Sequence, residues 1–395
     1  MRFDPFSKTF FNDPYELYGQ LRDHEPVHHN PELGFYALSR FDDVLEAAMD
    51  TKVFSSAWGV TVRPMSPERI AAMPMIIMMD PPKQTRHRRL VSKAFTPKRI
   101  AAMEDVVRDL TLEYLNPLLE AGGGDFVRDF AGCVPVEAIS LLLGVPKADR
   151  QWLRDAVNDS LTVEEGTGNP TATGIAASKK KMGYFFSLVA ERRTKPQEDL
   201  ISALVAAEVK SDTGEIEKLT DKEIVGFCSL LQAAGSETAT KLMGALLVLL
   251  HRHPDALQDL RADPLGIPGA VEEALRYWPP SQIQGRTTTE EITLHGVTMP
   301  KESRVLLLTG AACRDGRQFP EPDRFDIKRQ FPIQLSFGHG AHKCIGASLA
   351  RLETRIAFEL LFASTKEISI DESRAERVQM SNVAGYSSIP MTVVS

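Results

Sequence analysis

The sequence predicts a mainly α protein with a small β region, and three observations predict it. Apolar residues recur at helical intervals through most of the chain, between Pro and Gly punctuation. One helical stretch, 221–250, is far longer than the rest. A single region, 281–310, changes character: it is rich in Thr, Val and Ile, with Gly296 and Pro300 as turns, and reads as strands.

In chain order, Thr96-Pro97 opens a helix with Pro at its first position, running to about Gly122, where AGGGD ends it. Further helical patterns cover roughly 136–144, 147–160 and 172–193. The long helix begins at Thr220-Asp-Lys-Glu223, which has capping-box spacing, and Pro254 lies just past its end. At 1.5 Å per residue it is roughly 45 Å long, enough to cross a domain. Shorter helices follow at about 254–262 and 268–277, stopped by Pro279-Pro280. The stretch 314–340 has little periodicity, and 347–364 is helical again. No repeat, low-complexity segment or linker divides the chain, so residues 1–395 read as one folding unit.

With 43% hydrophobic residues among 395, the chain can bury a large core. Its 25% charged residues and net charge of -7 signal neither disorder nor a general nucleic-acid binder. The N-terminus has no apolar stretch long enough for a signal peptide or anchor. The longest apolar run, Ile70 to Met79, is broken by Pro74, and a membrane span needs about 20 residues. A soluble, cytoplasmic protein is expected. The four cysteines, Cys133, Cys228, Cys313 and Cys344, form no CxxC pair and read as reduced thiols, with any function falling to one of them.

That one is Cys344. It lies in FGHGAHKCIG, residues 337–346, where three glycines surround a cysteine and a helix follows at once. Gly338, Gly340 and Gly346 lack a Cβ, so this backbone can approach a flat ligand closely. A cysteine just before a helix N-terminus meets free N–H groups that favour a thiolate. The plain alternative for a lone cysteine is a buried core residue. A zinc site of His339, His342 and Cys344 lacks a fourth ligand at suitable spacing.

Residues 337–346 resemble the heme loop of the cytochrome P450 family, Phe-Gly-x-Gly-x-His/Arg-x-Cys-x-Gly, at every fixed position. The resemblance implies the P450 fold with a long central helix over the heme. It makes Cys344 the proximal ligand of a heme b iron, with Phe337 packed near the sulfur and His342 bonded to a propionate. Thiolate ligation pushes electron density to the iron and favours O–O cleavage.

Within the long helix, Ala234-Gly235-Ser236-Glu237-Thr238 resembles the family's oxygen-binding pattern, Ala/Gly-Gly-x-Asp/Glu-Thr. Ala234 and Thr238, four apart, share a face, and a mid-helix hydroxyl can bond back to a carbonyl and open a groove. The resemblance makes Thr238 the hydrogen-bond partner of bound dioxygen and Glu237 a proton relay. The family more often has Thr where this chain has Ala239.

Glu273-x-x-Arg276 matches the family's structural Glu-x-x-Arg pair, which is completed by an arginine from the irregular segment before the heme loop. In FPEPDRFD, Arg324 holds the matching position. Arg286 and Arg88 match the propionate arginines. The family usually has His four residues before Arg88; here stands Gln84, which can offer only a neutral hydrogen bond. His87 is out of register. Seven Lys/Arg and no acid lie between Asp80 and Glu104. The patch reads as a docking face for an acidic, ferredoxin-type electron donor, which Arg86, Arg89, Lys343, Arg351 and Arg355 would form, or simply as a solvated helix face.

The resemblance runs from Asp80-Pro81 to the C-terminal turn, with five motifs in order. It implies an oxidoreductase: a monooxygenase that inserts one atom of O2 into a small hydrophobic substrate, with NAD(P)H electrons delivered by a separate ferredoxin and reductase. Substrate-facing residues are expected around 57–79, at Phe227, Leu231 and Ala234, from Ser281 to Gln284, and from Val383 to Tyr386, with Met75, Met78 and Met79 as an adaptable lid. The rivals are a peroxide-driven peroxygenase, against which the acid–threonine pair argues, and a heme protein that binds ligands without turnover.

Overall fold

The computed structural model describes residues 2–394 apart from 95, 165–166, 211–213, 332 and 381. The expected long helix spans Asp221–Arg252, and its capping box is complete: the Thr220 N–H donates to Glu223 Oε2 at 2.9 Å and the Glu223 N–H to Thr220 Oγ1 at 3.3 Å. It is buried on nearly every side, against Cys133–Leu143, Ala172–Thr194, Ile267–Tyr277 and Ala347–Ser364. Among the described residues it is the one helix long and apolar enough to cross a membrane, yet 78% of its most apolar window is buried inside the protein. It is a core helix.

Most other helices fall where the periodicity put them: Lys147–Leu161, Ala172–Thr194, Pro254–Ala262, Ile267–Tyr277 and Ala347–Ser364. The expected helix from 97 to 122 is two helices, Pro97–Ala101 and Glu104–Glu120, because Thr96 caps the first and the chain turns at Ala102-Met103. The expected helix at 136–144 starts earlier, at Cys133, after a π-helical turn over Phe126–Ala131 that buries Phe126 and Phe130.

The β region is larger than 281–310. Its five-stranded sheet runs in the order Val27–Asn30, Phe35–Leu38, Arg304–Leu307, Gln284–Thr288, Phe54–Ser55. Arg304–Leu307 pairs parallel to Phe35–Leu38 and antiparallel to Gln284–Thr288. Half of this sheet therefore comes from the first 55 residues, whose strands are too short to show a period. Arg304 stands on the central strand. Its buried guanidinium donates to the carbonyls of Gly59, Thr61 and Val62, so the 59–62 segment is fixed against the sheet.

The Glu-x-x-Arg pair is fully buried. Arg276 grips Glu273 with two bonds, Nε–Oε2 at 2.8 Å and Nη2–Oε1 at 2.7 Å, and donates to the carbonyls of Cys313 and Pro322. The third member is Arg329, not Arg324. Arg329 Nε lies 3.2 Å from Glu273 Oε1, while the Arg324 side chain is 62% exposed and pairs with Glu321. Arg324 contributes only its carbonyl, which accepts from both Arg276 and Arg329. The segment turns tightly at Glu321, so the buried carboxylate faces the arginine five residues further on.

Candidate active site

The cysteine loop depends on two glycines. Gly338 and Gly340 have φ of +64° and +65°, the left-handed region that L side chains rarely adopt. The Cys344 N–H donates to the Phe337 carbonyl at 2.8 Å, closing the loop on itself. The basic helix Lys83–Ala94 braces it from outside: Gln84 Nε2 and Arg88 Nη1 both donate to the Ala341 carbonyl, at 2.6 and 3.2 Å. Gln84, where the family has a histidine, thus holds loop backbone. His87 on the same helix is fully buried beside Phe227, with neither ring nitrogen bonded; burial pushes it down to about 4 and keeps it neutral.

Between this loop and the long helix lies an apolar cavity, and every residue expected to hold the cofactor lines it: Cys344, Phe337, Gly338, His342, Gly346, Arg88, Arg286, Ala234 and Gly235. Thr238 lines it too, and its hydroxyl donates back to the Ala234 carbonyl at 2.5 Å, as expected of a mid-helix threonine. Gly235 has a second role. A Cβ there would stand 3.0 Å from Ile139 Cδ1, so the glycine also lets two helices pack closely.

Among the described residues, no carboxylate lies within ion-pair distance of Arg88, Arg286 or His342 at this cavity. Arg286 is buried and donates only to its neighbour's carbonyl, Gly285, at 2.8 Å; burial pushes its guanidinium down to about 10, with Asp80 opposing. Arg88 donates, among the described residues, only to Ala341. His342, bonded to Ser56 at 3.2 Å, is pushed down to about 4 by burial and by Arg286 and Arg88. Among the described residues the one carboxyl lining the cavity is Glu353, which burial pushes well above the usual carboxylate range. Basic groups without carboxylates, on the rim of an apolar slot that ends at a thiol, fit a flat apolar ligand bearing two carboxylates and a metal. Heme is such a ligand. At Cys344, burial pushes the thiol up, against the N–H groups of Gly346 and Ala347 and the charges of Arg88 and Arg351. Here burial outweighs the N–H groups that favour a thiolate; a metal bound to the sulfur would favour it. The zinc alternative has no support: among the described residues no group of three His, Cys, Asp or Glu side chains is placed to hold a metal.

Glu237 faces elsewhere. It is buried, lies 2.9 Å from Lys241 Nζ one turn on, and lines a second, polar cavity on a different face of the long helix. The spacing of four was readable in the sequence; the second cavity was not.

Of the expected substrate-facing residues, Phe227, Leu231, Ala234, Ser281 and Gln284 line the apolar cavity. Gln282 turns away to Tyr15 and the Pro279 carbonyl. The methionine lid is replaced by Ile76 and Ile77, since Met78 and Met79 pack into the protein. Val383 meets Ser281 through a backbone bridge and Tyr386 packs on Trp278, so neither lines the cavity. The basic patch is also smaller than its sequence. Arg86 is paired with Glu217 and Glu223, at 3.3 and 3.0 Å; Arg351 with Glu272; and Arg355 with Glu104 and Glu359, at 2.9 and 2.7 Å. Lys83 and Lys343 are exposed, as is the Arg89 side chain.

The chain is similar to known proteins over nearly its whole length. The family model described as Cytochrome P450 matches residues 177–264 and 267–373. The chain is 41% identical over 392 residues to the putative cytochrome P450 123 of Mycobacterium tuberculosis, covering 99% of this chain and 96% of that one. It is 38% identical over 401 residues to a vitamin D(3) 25-hydroxylase of Pseudonocardia autotrophica, with the same coverage. The solved structure of cytochrome P450 CYP109Q5 from Chondromyces apiculatus matches with a TM-score of 0.89 and 33% identity, covering 99% of this chain and 98% of that one.

Proposed function

Because the chain belongs to the cytochrome P450 family of heme-iron monooxygenases, we propose that it oxidises a small apolar organic molecule with one atom of O2. In this reading it acts as a single cytoplasmic unit, and a separate ferredoxin-type donor supplies NAD(P)H electrons. When bound, the heme iron supplies O2 binding and reductive O–O cleavage. Cys344 would ligate the iron; Arg88, Arg286 and His342 would bind the propionates; Phe337, Gly338, Gly346, Ala234 and Gly235 would form the walls.

The observation that carries the proposal is the division of labour along one turn of the long helix. Thr238 faces the apolar cavity opposite Cys344, whereas Glu237, the residue before it, faces the polar cavity beside Lys241. The apolar side excludes water from the reacting centre. The polar side gives a carboxylate access to solvent protons, and Thr238 Oγ1, one residue on, is the atom from which a proton can be passed into the apolar side.

Thr238→Ala is therefore expected to keep consuming NAD(P)H while product per NAD(P)H falls about tenfold or more and peroxide accumulates, and Glu237→Gln to slow turnover by about a hundredfold. Parallel assays of NAD(P)H, product and peroxide check this; unchanged coupling in Thr238→Ala would count against the mechanism.

Lys343, Arg89 and Lys83 support the docking face. Charge reversal at Lys343 and Arg89 is expected to slow reduction by a ferredoxin about tenfold at low salt, with the difference shrinking as salt rises. Arg86→Gln, at a residue already paired with two glutamates, is expected to leave the rate unchanged. Stopped-flow reduction across a salt series reads both.

A further inference from the structure

The polar cavity beside Glu237 has more positive charge than the proton route uses. Arg128, Arg154, Lys241 and Arg377 all line it, and Glu237 is the one carboxylate among its lining residues. Two of the four are matched by acids: Lys241 by Glu237 at 2.9 Å, and Arg128 by Glu376 at 2.6 Å, with Asp125 at 3.7 Å. The other two are not. Arg154 donates to the Cys133 thiol and to the Arg128 carbonyl, both at 2.9 Å, and has no carboxylate within 4 Å among the described residues. Arg377 is half-buried, with its guanidinium 4.3 Å from the centre of the Trp278 ring and 4.2 Å from that of Tyr386. The rings hold its carbon face while its N–H groups meet no acceptor in the described residues. Asn158, Thr162, Gln379 and Ser387 add neutral hydrogen-bonding groups to the same walls.

We propose that this cavity is a binding site for a small oxyanion, a phosphate or a carboxylate, held by Arg154 and Arg377. A guanidinium presents paired N–H groups that match the oxygens of either anion, and one held flat by aromatic rings loses little freedom when it binds. Lys241 lies on the same wall, so the anion competes with Glu237 for its ammonium. Occupancy of the site is thereby linked to the residue that takes up protons from solvent.

Inorganic phosphate, titrated calorimetrically into the heme-loaded protein at constant ionic strength set with chloride, tests the proposal. One phosphate per chain with a Kd below about 1 mM (a free energy near -4 kcal/mol) is expected. Arg154→Met and Arg377→Met should each weaken binding at least about tenfold, since methionine keeps the packing volume and removes the donors. Glu237→Gln should tighten it several-fold, because the competing carboxylate is gone. Should either arginine variant fail to fold, the Glu237→Gln shift still decides. Succinate in place of phosphate separates the two sources of the chemistry: binding of both marks a general oxyanion site, binding of phosphate alone a phosphoryl site. No heat of binding in the wild type, or equal affinity in all four proteins, overturns the proposal.

Discussion

Glu273→Ala is expected to destabilise the protein by about 3–5 kcal/mol, because it strands two arginines that the fold has removed from water. Arg276 is fully buried and Arg329 nearly so, and Glu273 is their shared carboxylate. Domains have only about 5–15 kcal/mol in reserve, so soluble yield should fall sharply. Denaturant unfolding of whatever folds measures the loss. The comparison of two arginines is sharper still. Arg329→Ala should cost about 2–4 kcal/mol, since it unpairs part of a buried carboxylate. Arg324→Ala should stay within about 0.5 kcal/mol, because its side chain is a surface partner of Glu321. Equal losses at the two positions would refute the assignment of Arg329.

Cys344→Ser is expected to abolish the strongly red-shifted Soret band of the reduced carbon-monoxide complex and to take product formation to background. The loop itself should survive. Its closure rests on the Cys344 N–H bond to Phe337, on Gly338 and Gly340, and on the Gln84 and Arg88 bonds to Ala341. None of these uses the sulfur. The serine hydroxyl supplies neither the softness nor the charge of a thiolate. A wild-type band at the position of a histidine-ligated heme would overturn the ligand assignment, and an unchanged band in the serine variant would do the same.

How far the sequence could be read depends on the range of the interaction involved. The cysteine loop is local: ten consecutive residues hold its glycines, its histidines and its sulfur, and Phe337, Gly338, His342, Cys344 and Gly346 all line one cavity. The long helix is local too, since capping box, period and Pro254 mark both ends. Arg329 was missed because its role depends on where an irregular segment turns, and no period announces that. The early strands were missed because each has four residues or fewer, and Phe35–Leu38 and Phe54–Ser55 are stabilised by partners more than 200 positions away. Lys241 beside Glu237 follows from helix spacing. The second cavity does not, because its walls come from five separated segments.

The parallel pairing of Arg304–Leu307 with Phe35–Leu38 has a consequence for how the chain is made. The N-terminal strands and the aromatic cluster of Phe3, Phe10, Tyr18 and Phe35 share one core with Ile283, Leu306 and Leu308. At about 5–20 residues per second, a ribosome needs on the order of tens of seconds to deliver those late residues. Through that interval the first 40 residues have a sheet edge and an aromatic face with nothing to cover them. The long helix and its neighbours can collapse first, but the amino terminus must wait. The nascent chain is thus most exposed to aggregation at the end that is made earliest, and a chaperone would have its longest opportunity there.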